Sequence, residues 1–355
     1  MRSPLISVIM PAYNAELHIK EAIHSILTQT YSDFEFLIYN DGSTDKTHDI
    51  INTYHDERII YKKIENNDGY LNLLNQGIAE AKGKYIARMD SDDIAYPNRF
   101  EEQVKYLEAN PEVGICGSWT EFIGGLTGIN KSPERFEEIQ YSLFFGCSLT
   151  HPSVMMRNDL LRKYNLSYNQ EYYYAEDHLF FAEASKHFRL VNIPKVLLKY
   201  RIHDLQIGSA KWKEQFNAKS KIQARLFNNT IVGHNEASLK WLTNLFSEIS
   251  TPNNEWIKDI EIYKRKIIDG NKQLQIFPQE ILERAVSTLF SLKLNKNLYN
   301  YYFQKYYNRK NYSPKLLVEF FKENYKPQFH FGKRLTVLFI LKCLIGYRKK
   351  TLIRI

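Results

Sequence analysis

The first ninety residues alternate between two hydrophobic periodicities, and that alternation limits the fold more than any other feature. Ile6-Ser7-Val8-Ile9-Met10 is a buried-strand run stopped by Pro11, after which Glu16–Leu27 places Leu17, Ile19, Ala22, Ile23, Ile26 and Leu27 at helical spacing. Phe34–Tyr39 reads as a second strand. It runs into Asn40-Asp41-Gly42-Ser43-Thr44-Asp45, a turn rich in helix-capping residues, and then a helix to about Tyr54. A strand over Arg58–Lys63, a helix over Tyr70–Ala81 and a strand over Lys84–Met89 complete a β-α-β-α-β-α-β series. Such a series predicts an α/β fold with a doubly wound, mainly parallel sheet. Ligands of these sheets bind beyond the carboxyl ends of the strands. The residues after the strands, Pro11-Ala12-Tyr13-Asn14, Asn40-Asp41-Gly42-Ser43 and Asp90-Ser91-Asp92-Asp93, are therefore the site candidates.

Farther on, a helix is expected over Pro97–Asn110, with apolar segments at Val113–Trp119 and Ser153–Met156. Helical patterns dominate from Trp212 onward. The division expected is 1–211 for an α/β catalytic domain and 212–355 for a mainly helical region, with a soft boundary.

Charge sharpens the division. The 355 residues carry 48 Lys+Arg against 40 Asp+Glu, but the last acidic side chain is Glu323 and eight cations follow it. Residues 1–323 are thus balanced, which gives no argument for nucleic-acid binding. The surplus lies after Glu323, seven of the eight cations in a tail, Phe329–Ile355, that interleaves large apolar residues with Lys and Arg. Two readings fit it: an interfacial helix on an anionic inner-membrane surface, or a last helix packed on the body. Leu335–Ile345 falls short of the roughly 20 residues that span a bilayer, and no secretory leader is expected from Leu5–Met10. Three scattered cysteines form neither a disulfide framework nor a metal knuckle. A cytoplasmic protein, peripheral on the inner face of the cell membrane, is expected.

Asp90-Ser91-Asp92-Asp93 sets three carboxylates directly after a buried strand. Packed together they repel, so a cation is needed to keep them ionised. Hard oxygen donors select Mg²⁺ or Mn²⁺. The alternative is a solvated acidic turn capping the next helix. Glu176-Asp177 is a second acidic pair, distant in sequence, at the start of a helical pattern; it reads as a base near the reacting centre, as a helix cap, or as both. No Walker loop, dinucleotide-binding Gly-rich turn or nucleophile elbow occurs.

Residues 4–210 resemble the family 2 glycosyltransferases of the GT-A fold. The resemblance rests on Ser7–Asn14, Asn40–Asp45, Tyr85–Asp93, His151-Pro152-Ser153-Val154-Met155, Ala175-Glu176-Asp177 and Tyr200-Arg201-Ile202-His203. It implies that Pro11, Ala12 and Tyr13 contact the uracil and ribose of a UDP-sugar and that Asp41 accepts a hydrogen bond from the uracil. Asp90 would lie against the ribose and the metal, with Asp92 the direct ligand of the DxD signature and Asp93 supporting the loop. Asp177 would be the general base of an inverting transfer, with Glu176 orienting it or contacting the acceptor. His203 would complete the metal shell or touch the diphosphate, with a packed or surface histidine as the alternative; Arg201 would contact phosphate. His151 would line the cleft or form a structural turn. One departure is visible: Asn40 stands where relatives commonly carry an acid.

The function implied is metal-dependent transfer, with Mn²⁺ or Mg²⁺, from a UDP-sugar to a cell-surface glycan or glycolipid such as lipooligosaccharide, O-antigen or capsule. Likeness to lipopolysaccharide-building enzymes favours UDP-GlcNAc, then UDP-Gal or UDP-Glc. The other classes considered are an inert nucleotide-sugar-binding scaffold and a nucleotidyltransferase. The second would be expected to carry a Gly-rich phosphate loop near the N-terminus, which Pro11–Asn14 is not.

Overall fold

The computed structural model describes residues 4–203, 211–247 and 254–302. The basic tail lies outside them. In chain order the elements are β1 (Ile6–Ala12), α1 (Ile19–Leu27), β2 (Phe34–Asp41), α2 (Thr47–Asn52), β3 (Ile59–Ile64), α3 (Tyr70–Glu80), β4 (Tyr85–Arg88), β5 (Ile94–Ala95) and α4 (Arg99–Ala109). There follow β6 (Val113–Gly124), β7 (Gly128–Asn130), α5 (Phe136–Ser142), β8 (Met155–Arg157), α6 (Asn158–Lys163), α7 (Glu176–Ala184) and β9 (Arg189–Ile202). The helices α8 (Trp212–Asn228), α9 (Glu236–Phe246), α10 (Asn254–Leu274) and α11 (Gln279–Tyr302) close the described chain.

The strands form one sheet in the order β3-β2-β1-β4-β8-β6-β9-β5, with β7 paired to β6. The predicted parallel half is present: β1 pairs in parallel with β2 and β4, and β2 with β3. Beyond β4 the pairing changes. β8 runs antiparallel to β4 and β6, β5 runs antiparallel to β9, and β6 and β9 form a long parallel pair. β1 also continues through Pro11, where the sequence predicts a stop. Its pairing with β4 ends at Ile9↔Arg88, so on that side no ladder needs the amide that proline lacks.

Side chains alternate across the sheet into two apolar layers. Ile6, Val8 and Met10 pack with Ile23, Ile26 and Phe100 on one face, while Ile9, Leu37 and Ile86 pack with Leu74, Ile139 and Phe181 on the other. Burial on both faces is what makes these strands read as continuous apolar runs.

The chain divides into two compact units, Met1–Gln223 and Ala224–Ile355, the division falling inside α8. The sheet and all the motif residues belong to the first. In the second, Phe227, Phe246 and Phe290 pack with ring centroids 5.6–5.8 Å apart, and Trp241 stacks on Tyr263 at 4.0 Å. Asn271 exchanges two hydrogen bonds with the backbone of Phe277, which pins the turn between α10 and α11. No helix among the described residues is long and apolar enough to cross a membrane.

Candidate active site

The strand order reverses at β1, which lies between β2 and β4, and a crevice at such a switch point is where ligands bind. β1 pairs with β2 as far as Ala12↔Asn40, but with β4 only as far as Ile9↔Arg88. Met10–Ala12 therefore have no β4 neighbour, and the loop after β4 diverges there. Three predicted groups of site residues come to this edge.

The loops after β1 and β2 are zipped together by reciprocal bonds. The Asn14 amide donates to Ser43 Oγ at 3.0 Å, and the Thr44 amide donates back to Asn14 Oδ1 at 2.9 Å. Below them the Ala15 amide donates to Thr47 Oγ1 at 2.8 Å, and the Glu16 amide to Asp45 Oδ2 at 3.0 Å. This clamp holds Tyr13, 51 % exposed, at the mouth of the crevice with Pro11 and Ala12 buried behind it.

Asp41, at the end of β2, is buried. Its two oxygens accept the amides of Asp68 (2.8 Å) and Gly69 (3.1 Å). Burial pushes its carboxyl above the usual range, and the two amides oppose that rise. Gly69 has φ +85°, in the left-handed region that glycine adopts without strain, and α3 begins directly after it. Asn40 beside it donates to the Tyr61 hydroxyl at 3.0 Å and accepts the Ser43 amide at 3.1 Å. An amide satisfies both roles at this buried position, which accounts for the departure from an acid.

After β4, ligand atoms of Asp90, Asp92 and Asp93 all lie within 4.8 Å of one another. Three residues hold them. Arg88, the last residue of β4, pairs with the Asp90 carboxylate two residues on. From β9, the Arg201 amide donates to Asp93 Oδ1 at 2.8 Å and its Nε to the Asp92 carbonyl at 2.7 Å, while Nη2 reaches Glu21 at 2.6 Å. His203 Nε2 lies 2.9 Å from Asp92 Oδ2. Burial, and then the neighbouring carboxylates, hold Asp93 well above the usual carboxylate range; burial likewise raises Asp90 against the pull of Arg88. A hard-oxygen cluster with an imidazole at its edge and too little positive charge fits a divalent cation.

Glu176 and Asp177 occupy the first turn of α7, after the cap residue Ala175. Asp177 Oδ1 accepts the amide of the next residue, His178, at 2.7 Å, which fixes the carboxylate in the first turn; the cap position itself is held by Ala175 with no side-chain cap bond, so the acidic pair is not the helix cap. The Cys147 thiol donates to the Leu149 carbonyl at 3.1 Å and also interacts with Asp177. Tyr70 sends its hydroxyl towards Glu176, and Glu176 Oε2 is buried without a partner. Burial raises both carboxyls, and the Asp177 charge adds to the rise of Glu176, to about 7; the Arg88 cation opposes both shifts. His151 opens the turn His151–Ser153 and meets the Tyr168 hydroxyl at 2.7 Å; burial drives its pKa far below the ordinary value, so it is neutral.

Several residues here carry no role assigned from the sequence. Arg88 is the buried cation whose field reaches both carboxylate groups. A charge inside the apolar run Tyr85–Met89 was the available signal. Fully buried Arg99 donates to the Arg88 and Val154 carbonyls at 2.8 and 3.3 Å, bracing the end of β4 from below. His18 sets its ring 5.7 Å from that of His203, a proximity across 185 positions that no local pattern carries.

Comparison with known proteins agrees with this geometry. The profile described as Glycosyl transferase family 2 matches residues 7–165. An uncharacterised glycosyltransferase of Haemophilus influenzae is 39 % identical over 233 residues, covering 62 % of this chain and 72 % of that protein. The Escherichia coli protein WfaP, named as a UDP-Glc:alpha-D-GlcNAc-diphosphoundecaprenol beta-1,3-glucosyltransferase, is 31 % identical over 214 residues, covering 59 % of this chain and 82 % of its own. The crystal structure of Staphylococcus aureus TarS 1–349 in complex with UDP-GlcNAc superposes with a TM-score of 0.58 at 21 % identity, covering 83 % of this chain and 89 % of that one, a likeness of fold. The chain belongs to the family 2 glycosyltransferases and is a glycosyltransferase of the GT-A fold.

Proposed function

We propose that this enzyme transfers a sugar from a UDP-sugar, with inversion, to a hydroxyl of a cell-surface glycan or lipid-linked glycan. The observation that carries the reading is that the buried Arg88 cation acts on two carboxylate groups distant in sequence: Asp90, in the Asp90–Asp92–Asp93 cluster also held by Arg201 and His203, and Glu176–Asp177 at the start of α7. WfaP and WfgD, both named as UDP-glucose transferases, support a UDP-linked donor and set UDP-Glc beside UDP-GlcNAc and UDP-Gal.

In this reading Pro11, Ala12 and Tyr13 flank the uracil and ribose, and Asp41 accepts the uracil N3–H with a lone pair left free by the amides of Asp68 and Gly69. Asp90, Asp92 and His203 would hold Mn²⁺ or Mg²⁺, which when bound supplies charge neutralisation for the diphosphate leaving group. Asp93 and Arg201 fix the loop. The guanidinium has five N–H donors and uses Nε and Nη2 in these bonds, leaving others for phosphate. Asp177 takes the proton of the acceptor hydroxyl as its oxygen bonds to the anomeric carbon. The bond from that carbon to the diphosphate breaks, and its electron pair leaves with UDP. Glu176 orients Asp177 and the acceptor. Association with the inner membrane surface rests on the composition of the tail.

A screen of UDP-GlcNAc, UDP-Glc and UDP-Gal with Mn²⁺, following UDP release, tests the reading. Release should be stimulated by acceptor and abolished by chelation. Absence of UDP release from every donor, or release unchanged by chelator, would contradict it.

A further inference from the structure

The run Tyr172-Tyr173-Tyr174 precedes the two α7 carboxylates and has no place in the roles above. Its backbone is a tight turn: the Ala175 amide donates to the Tyr172 carbonyl at 2.9 Å. Tyr173 at the first central position has φ −50° and ψ 137°, and Tyr174 at the second has φ +75°. These are the angles of a type II turn, whose second central residue is ordinarily glycine because a Cβ is strained there. A large aromatic residue in that place has to be explained by what its side chain does.

The three rings do not share one environment. Tyr172 is buried. Tyr173 lies beside Gly69, where an added Cβ would come within 3.7 Å of the Tyr173 hydroxyl, and packs on Tyr70 with centroids 5.0 Å apart. Tyr174 stands at right angles to Tyr173, centroids 4.7 Å apart, and is half-buried. The row Tyr70–Tyr173–Tyr174 thus begins at the loop that caps Asp41 and ends one residue before Ala175-Glu176-Asp177.

We propose that Tyr174 is an acceptor-binding residue, a platform on which the apolar face of the acceptor pyranose lies while its hydroxyl meets Asp177. An aromatic face offers a sugar ring a broad apolar contact with little conformational freedom to lose, and the left-handed turn fixes its direction. Tyr173 supplies the wall behind it, and Tyr70 ties that wall to Glu176. This inference rests on the transferase reading and names the sugar ring as the feature recognised.

The test compares wild type with Tyr174→Gly and Tyr174→Phe, each saturated with UDP and Mn²⁺. The probes are methyl β-D-glucopyranoside, methyl β-D-galactopyranoside and methyl N-acetyl-β-D-glucosaminide, with binding read by saturation-transfer NMR and UDP affinity by calorimetry. Glycine suits the positive φ, so Tyr174→Gly should fold with an unchanged or higher Tm. It should bind the preferred glycoside about tenfold more weakly, while Tyr174→Phe stays within about twofold and UDP affinity is equal in all three. Equal glycoside affinity in Tyr174→Gly, a parallel loss of UDP binding, or no glycoside binding by UDP-loaded wild type would each overturn the proposal. Failure of wild type to bind UDP would instead overturn the reading beneath it.

Discussion

His203 Nε2 lies 2.9 Å from Asp92 Oδ2, although 111 positions separate the two residues in the chain. The contact ties the end of β9 to the loop after β4 and aims an imidazole nitrogen at the middle carboxylate of the cluster. Asp92→Asn should therefore remove Mn²⁺-dependent UDP binding. His203→Ala should weaken Mn²⁺ affinity by at least the roughly 10- to 100-fold that losing a group orienting a metal ligand costs, because His203 is itself one of the groups proposed to hold the ion. Calorimetric titration of Mn²⁺ in the presence of UDP checks both.

Arg88 and Asp90 form the pair on which the end of β4 depends. The arginine side chain is 5 % exposed and the aspartate 32 %, so removing the cation leaves carboxylates uncompensated at a largely buried position. Arg88→Met should cost about 3 kcal/mol, the lower end for breaking a buried pair, because Asp90 keeps some water. Urea unfolding measures it. A cost within 0.5 kcal/mol, on the scale of an ordinary surface change, would show that Arg88 is not holding the cluster.

Asp177 and Glu176 are both raised by burial, and the base must be ionised to accept a proton. A raised pKa means that activity is present above it and is lost as pH falls through it. The acid limb of kcat/KM should accordingly lie above the ordinary carboxylate range. The Cys147 interaction lowers the Asp177 pKa, so Cys147→Ala should move this limb to higher pH without changing the alkaline side. A pH–rate profile of the two proteins decides it.

Arg201 bonds to Asp93, to the Asp92 carbonyl and to Glu21. The hydrogen bond from its backbone amide survives any substitution but proline, whereas the guanidinium bonds do not. Arg201→Lys should keep the charge while losing the forked geometry, and should raise KM for the UDP-sugar by about tenfold. Glu21→Gln, which touches Arg201 from an exposed position, should change KM by no more than about twofold.

The strand ends were legible in the sequence because each is contiguous: an apolar run, then a polar turn, with nothing distant needed to recognise it. The parallel half of the sheet followed from the same alternation. Arg88 was not assigned, because a strand buried on both faces has no polar–apolar alternation to say which neighbour a charge will meet. The long pair β6–β9 was also missed. Glu121, Gly124 and Gly125 end the apolar run of one strand, Pro194 and Lys195 interrupt the other, and irregular register between them absorbs the difference. Contacts such as Arg201 to Asp93 exist only through that pairing, so local pattern could propose Arg201 but not its partners. The turn at Tyr174 was hidden for a related reason: a tyrosine at positive φ carries no glycine to announce it.

The most direct test of the account is Asp177→Asn, with UDP-sugar turnover and UDP affinity measured on the same preparation. Turnover should fall by about 10³-fold or more, within the range that a general base supplies, while the Kd for UDP in Mn²⁺ stays at the wild-type value. Wild-type turnover in Asp177→Asn would contradict the assignment of the base and, with it, the reading of α7 as the acceptor side of the site.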